Sequence, residues 1–352
     1  GSFYMLGALL AGTLVTQWQP GWSEHAALYL LAMMIGAFAA ALLGGVTEVF
    51  LFRPLRHSPP LYPLVATFGL SLVIHDVLLW VLGPGEVFAP RFPGLKGAVQ
   101  LGENFFPQWQ IVTLCLGPVV WGLLHLLLTR TSWGQRVRAA TQDRDMLDAL
   151  GIDPAPLMMG VVVLGCGLAG LAGALQLPRE PANLQMDLQM VVETFVVVVM
   201  GGLGSIAGAF MASVLIGCVH AFGIHFFPQA TLVLVFLTMA LVLAVRPQGL
   251  MGELPGAAPR EKVMPFHLGS AHRIFQWLGW LVLSGCAISL LVVNDYTQRV
   301  LEDILIMMLF GLSLQYMMAL SGWVSFGHAA YFGLGAYAAA LSFLHWQFNA
   351  FA

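Results

Sequence analysis

The chain has 352 residues, of which 59% are hydrophobic and 9% charged, with a formal net charge of −3. A soluble domain is about one quarter charged, and a water-soluble fold of this size could not cover so much apolar surface with so few charges. This excludes a cytosolic enzyme, a nucleic-acid binder and a disordered chain. What is left is an all-α, polytopic transmembrane helical bundle.

A span needs about 20 mostly apolar residues. In chain order, the predicted spans are residues 3–16 (short), 26–51, 62–82, 109–128, 157–177, 191–227 (long), 231–245, 274–293, 301–320 and 331–348. Basic residues set the orientation. Arg53 and Arg56 share one loop, Arg130, Arg136, Arg138 and Arg144 a second, and Arg246, Arg260, Lys262 and Arg273 a third. These three loops are assigned to the cytoplasm.

Parity then requires an even number of crossings between the second and third loops, where three hydrophobic segments lie. The middle one, 191–227, is too long for one span and contains Gly201-Gly202-Leu203-Gly204-Ser205. Clustered glycines weaken a helix, and broken helices at membrane depth gather at transport sites. The bundle is therefore expected to contain a discontinuous, re-entrant helix that enters from outside, turns near Gly202 and leaves on the same side.

The loop RTSWGQRVRAATQDRDMLDALGIDPAP, residues 130–156, predicts a cytoplasmic helix over 134–150. Val137, Ala140, Leu147 and Leu150 fall on one face. Gly151 and Pro154 stop it. The plain reading is a solvated connection; the sharper one is a docking helix for a cytoplasmic partner.

An internal repeat relates the two ends of the chain. At an offset of 328, Leu6, Gly7, Ala8, Ala11, Trp18 and Gln19 match Leu334, Gly335, Ala336, Ala339, Trp346 and Gln347, and Phe3-Tyr4 faces Tyr331-Phe332. The second copy follows a full span and Ser321-Gly322-Trp323-Val324-Ser325-Phe326-Gly327-His328; the first copy begins at once. The sequence is thus expected to be cut short by roughly one span at the N-terminus, and to stop early at the C-terminus. It divides into a first unit (1–250), a proline-punctuated cytoplasmic linker (251–272) and the opening of a second, related unit (273–352).

Other chemistry is sparse. No GxxxxGK[ST], HExxH or GxSxG occurs, and the two lysines follow no glycine-rich loop. Cys115, Cys166, Cys218 and Cys286 each sit in apolar runs without metal or disulfide spacing. No basic segment precedes the first apolar stretch, so no cleavable signal peptide is expected. His75-Asp76 is an ionisable pair inside a span, functional by default, but it sits near the outer interface, where a structural pair is at least as plausible. His125 and His220 fit packed or interfacial histidines better than ligands.

Four segments in this order carry a family resemblance: FRPLRHSPPLYPLVATFGLSL, GQRVRAATQDRDMLDALGID, VVVVMGGLGSIAGAF and RPQGL. Over residues 1–250 the chain resembles the first permease subunit of branched-chain amino acid ABC transporters. From about residue 300, ILIMMLFGLSLQYMMALSGWVSFGHAAYFGLGAYAAAL is similar to the start of its sister permease, which implies a fusion of the two.

The resemblance implies an ABC importer permease in a bacterial inner membrane. It implies separate cytoplasmic ATP-binding subunits, a periplasmic substrate-binding protein and a second permease half, with no cofactor on this chain because ATP and Mg belong to the partners. Gly134, Arg138, Ala139, Ala140, Asp143, Gly151 and Ile152 occupy the family's ATPase-coupling loop. The EAA pattern of ABC importers is not reproduced letter for letter.

A path for an apolar zwitterion should be lined by small residues and mild dipoles. The candidates are Thr67, Gly69, Ser71, Gly201, Gly202, Gly204, Ser205, Gly327 and His328. The alternative is an ion-coupled secondary transporter of small polar or zwitterionic solutes, which needs mid-span carboxylates and no docking helix. An intramembrane enzyme would need a catalytic constellation that is not found. Urea, short amides and other amino acids are further cargoes of such relatives.

Overall fold

In the computed structural model, the described residues are 1–252 apart from 19, 57, 59, 60, 102, 103 and 203, with 295–321, 327–346 and the positions 277, 279, 280 and 284. Long apolar runs become helices because a backbone in lipid must satisfy its own hydrogen bonds. Among the described residues, six helices are long and apolar enough to cross a membrane. Most of the predicted span 274–293 and most of the linker lie outside the described residues.

The chain begins with α1 (Ser2–Thr13), continued by a π-helical turn, Leu14–Trp18. Next come α2 (Ala26–Thr47), a second π turn (Glu48–Phe52), the short α3 (Arg53–Leu55) and α4 (Leu61–Leu82). A two-stranded antiparallel hairpin follows, β1 (Ala98–Leu101) with β2 (Asn104–Pro107), Val99 opposite Phe106. It leads into α5 (Gln108–Arg130). The next elements are α6 (Ser132–Gln142), α7 (Arg144–Ala149), α8 (Pro154–Gln176), α9 (Met186–Gly201), α10 (Ile206–Phe226) and α11 (Thr231–Val245).

The chain divides into two compact units, Gly1–Ala257 and Ala258–Ala352. The second contains α12 (Asp295–Ser321) and α13 (His328–Trp346). Both copies of the repeat are helical. At the common offset the π turn after α1 and helix α13 end on equivalent residues, Trp18 and Trp346.

The core of the first unit is built by α1, α2 and α8. Met5, Leu9, Tyr29, Met33 and Ala174 are buried in it. A Cβ at Gly7 would meet the Gly170 carbonyl, and one at Gly173 the Tyr4 carbonyl. Small residues thus let the backbones touch, the usual source of helix association in lipid.

On the side opposite the arginine loops, Phe92 stacks on Trp109 (4.8 Å) and packs edge-on against Tyr29 (5.3 Å). Val87 and Ala182 exchange backbone bonds of 2.8 and 3.0 Å. These contacts hold the outer loops to the bundle.

The break near Gly202 falls where the glycines place it. Helix α9 ends at Gly201, and Gly202 and Gly204 have φ of +100° and +89°, conformations that cost an L side chain 1–2 kcal/mol, roughly. Ser205 Oγ caps α10 by accepting from the Gly208 N–H (3.0 Å). The turn does not stop partway across. At 1.5 Å per residue, α10 is about 32 Å long, and the Leu250 and Met251 N–H groups donate to the Met200 and Gly201 carbonyls (2.8 and 3.1 Å). The tip therefore sits level with the Arg246 loop, and α9 and α10 form a hairpin hanging from the opposite side. Together with α8 and α11 this preserves the even count that the arginines demand.

Candidate functional site

The predicted single helix over 134–150 is two helices at an angle. Asp143 interrupts it, with φ −150° and ψ 104°, and its Oδ1 accepts from the Met146 N–H (2.9 Å) to cap α7. Asp favours a cap over a helix interior for this reason. Thr131 caps α6 by accepting from the Gly134 N–H (3.1 Å). Gly151 has φ +79° and ends α7.

The apolar face of this projection is already used. Val137, Ala140 and Leu147 are buried with Leu157 of α8, and Leu128, Trp133, Ile152 and Met158 pack against them. Ala140 is 1% exposed, so it holds the projection to the bundle and is not free to touch a partner. Gly134 is also buried; a Cβ there would meet the Leu127 and Leu128 backbone. Ile152 is half-buried in the same cluster.

The outward surface is instead formed by Arg138, Ala139, Asp143 and Gly151, with Met146 and Leu150 beside them. Met146 and Leu150 are 59% and 70% exposed and four residues apart, hence neighbours. The sequence pattern does not single out Met146, because the larger apolar face dominates it, and helical spacing puts Leu150 on that face, where the structure leaves it exposed instead.

The path candidates fall in three places. Thr67 and Ser71 share one stripe of α4 with Ile74 and Leu78, within an arc of about 60° at 100° per residue. Ile74 and Leu78 are buried in the α1–α2–α8 core, whereas Thr67 is exposed and Ser71 half-buried. The Thr67 and Ser71 hydroxyls donate to the Leu64 and Phe68 carbonyls (2.8 and 2.7 Å). Gly69 lies on the other side of α4.

Gly201 and Gly202 are buried; a Cβ at Gly202 would meet Gly252 and the Gln248 carbonyl. They pack the hairpin tip against the chain after α11, and Gly204 and Ser205 complete the turn. In the second unit, His328 Nε2 lies 2.7 Å from Ser313 Oγ and its ring faces Phe310 at 5.3 Å. Gly327 precedes it and is exposed.

Two polar pairs complete the picture. Arg56 is ion-paired with Glu48, whose side chain is 5% exposed. His75 Nδ1 is 3.3 Å from Asp76 Oδ1, and the Asp76 side chain is 80% exposed, as a peripheral pair would be. His125 stacks on Trp121, which stacks on Phe210 of α10 (5.6 and 5.1 Å); His220 is exposed.

Spanning helices, a hairpin turned at the level of the arginine loops and a capped two-helix projection make up a multi-pass membrane protein. The family described as "Branched-chain amino acid transport system / permease component" matches residues 1–245. The chain belongs to that family. It is 29% identical over 264 residues to the high-affinity branched-chain amino acid transport system permease protein BraD of Pseudomonas aeruginosa, covering 72% of this chain and 84% of BraD. It is 26% identical over 262 residues to the corresponding permease LivH of Escherichia coli K12, with the same coverage. The permease LivM of Salmonella typhimurium is 26% identical over 289 residues, 75% of this chain and 64% of LivM. No solved structure matches.

Proposed function

We propose that this chain is the permease component of an ATP-driven importer of branched-chain or related amino acids in a bacterial inner membrane. It works with separate ATP-binding subunits, a substrate-binding protein on the outer side and a second permease half. Residues 273–352 are proposed to open that second half, which makes residues 251–272 a linker. Family membership over residues 1–245 supports the reading most.

The ATP-binding subunit docks on the α6–α7 projection. Its contact surface is Arg138, Ala139, Asp143, Met146, Leu150 and Gly151, while Gly134, Ala140 and Ile152 set the angle from within. The rigid attachment through Val137, Ala140 and Leu147 carries partner motion into α5 and α8. The substrate passes the Thr67–Ser71 face of α4, whose neutral hydroxyls let an apolar zwitterion move on. The ion-coupled alternative is weakened at Glu48, whose buried carboxylate is already paired with Arg56.

The test is Leu150→Glu in the complete transporter. The site is exposed, so folding stability should change by no more than about 0.5 kcal/mol. The introduced charge would have to be desolvated at the interface, so co-purification of the ATP-binding subunit and amino-acid uptake should both fall at least tenfold, roughly the size of such penalties. Normal uptake with normal co-purification would remove α7 from the docking surface.

A further inference from the structure

An open groove of about 350 Å³ lies between α5 and α8. Leu116, Val120, Leu168 and Leu171 line its deep part. Thr113, Gln176 and Arg179 line its mouth, and a second hollow along Phe106, Gln110 and Leu114 shares Thr113 and Arg179 with it. The groove is a channel on the flank of the bundle. Gly117 and Ala172 on its walls are exposed, and on the adjoining surface Leu114 and Val119 are 76% and 54% exposed.

Three observations identify the occupant. First, the groove runs along α5 from Trp109 to Val120, eleven residues or about 16 Å. One leaflet of hydrocarbon is about 15 Å deep, half of a core of about 30 Å. An amino acid would fill only part of that length.

Second, the polarity is graded along the helix axes, apolar toward the membrane centre and polar at the outer end. Third, the polar end carries a cation. Arg179 Nε is held by Glu180 Oε1 at 3.3 Å, with side chains 59% and 52% exposed, which leaves the two terminal amino groups of the guanidinium for a phosphate, the geometry that Arg recognises best. Trp109, whose Nε1–H donates to the Leu175 carbonyl (3.2 Å), stands at the level of an interfacial aromatic belt.

We propose that this groove is a phospholipid site of the outer leaflet: one acyl chain lies between α5 and α8, and the headgroup phosphate sits on Arg179. A free phosphate would use the arginine and leave the groove empty; a lipid uses both. The inference rests on the orientation of the bundle and not on the solute carried.

The wild-type complex in vesicles of phosphatidylethanolamine and phosphatidylglycerol, doped with a phospholipid carrying a photoreactive acyl chain, tests the placement directly. Cross-links should concentrate on residues 109–120 and 168–179. Labelling spread evenly over other lipid-facing helices, or absent from these two segments, would overturn the site, as would displacement of the label by leucine or isoleucine, which would make the groove a solute cavity. Protection of the groove by the other permease half would appear as no labelling and count against it equally.

Two variants read the contacts separately. Gly117→Phe fills the groove from a position where a Cβ has open space; Arg179→Gln removes the cation. Each should cut lipid retained by the detergent-purified complex at least threefold with an unchanged elution profile. Inorganic phosphate should not compete.

Discussion

At the scale of single residues, the Glu48–Arg56 pair is unequal. Glu48 is almost fully buried, whereas Arg56 keeps 19% of its side chain exposed. Removing a partner from a buried ion costs about 3–5 kcal/mol, while replacing both ions with apolar groups is often neutral. Arg56→Ala, which strands the carboxylate, should therefore lower the thermal midpoint in detergent more than Glu48→Gln, which leaves a guanidinium able to reach water. Glu48→Met with Arg56→Met should recover most of the loss. Equal effects of the two single changes would mean that Glu48 does not depend on the arginine. The same reasoning separates two alanines on the projection. Ala140→Glu would bury a charge among Val137, Leu147 and Leu157 and should destabilise the protein itself, by several kcal/mol on the same scale. Ala139→Glu, on the outward surface, should leave the melting curve within about 0.5 kcal/mol of wild type and report only on partner binding. Thermal unfolding followed by a thiol-reactive or intrinsic fluorescence signal distinguishes the two.

At the scale of elements, the hairpin of α9 and α10 turns on two glycines with different surroundings. Gly202 has both a positive φ and backbone within reach of any Cβ, from Gly252 and Gln248; Gly204 has the positive φ in open space. Gly204→Ala should cost only the conformational strain, about 1–2 kcal/mol. Gly202→Ala adds a collision and should cost more, seen as a lower midpoint and earlier protease cleavage between α11 and the linker. This break was legible in the sequence because glycine density is a local signal. The spans that fall on described residues were legible for the same reason, since lipid selects apolar runs whatever they pack against. What could not be read was which face of the 134–150 segment turns inward. An amphipathic pattern gives a face but not its occupant, and here Leu157 and Leu128 fill the role given to a partner. The Asp143 break is also hidden in the sequence, because a charged residue on a polar helix face reads as solvation, whereas here its side chain caps α7 at the Met146 N–H. The β-hairpin is not legible because four-residue strands between Gly97 and Gln108 are too short to show a periodicity, and the Arg56–Glu48 pair is not because it joins a predicted span to a loop across eight residues. Of the path candidates, Thr67 and Ser71 share a face by helical spacing alone, while the reach of Gln248 and Gly252 to Gly202 depends on tertiary contact.

At the scale of the whole molecule, orientation follows from where the arginines sit, and the structure gives that assignment a stricter form. Helix α2 leads through its π turn to Arg53, α5 ends at Arg130, α11 is followed directly by Arg246, and the α9–α10 tip is bonded to residues 250 and 251. All four features must lie on one side of the membrane, together with the α6–α7 projection. The β-hairpin, the Val87–Ala182 contact and the α10–α11 turn must lie on the other. Had residues 191–227 formed one long tilted helix, α11 would run the opposite way and Arg246 would face outward, against the positive-inside bias. Single cysteines at Gln142 and Gln248, and at Gln100 and Gln229, all exposed outside the spans, test this in a background lacking the four native cysteines. In intact inner-membrane vesicles of cytoplasm-inside orientation, a membrane-impermeant maleimide should label positions 100 and 229 and spare 142 and 248 until the vesicles are opened. Because Gln248 adjoins the hairpin tip, its labelling reports the side on which α9 and α10 turn. Labelling of 248 together with 100 and 229 in closed vesicles would place the tip on the outer side, break the even count of α8 to α11, and take with it the shared side of the tip and the α6–α7 projection on which the docking assignment depends.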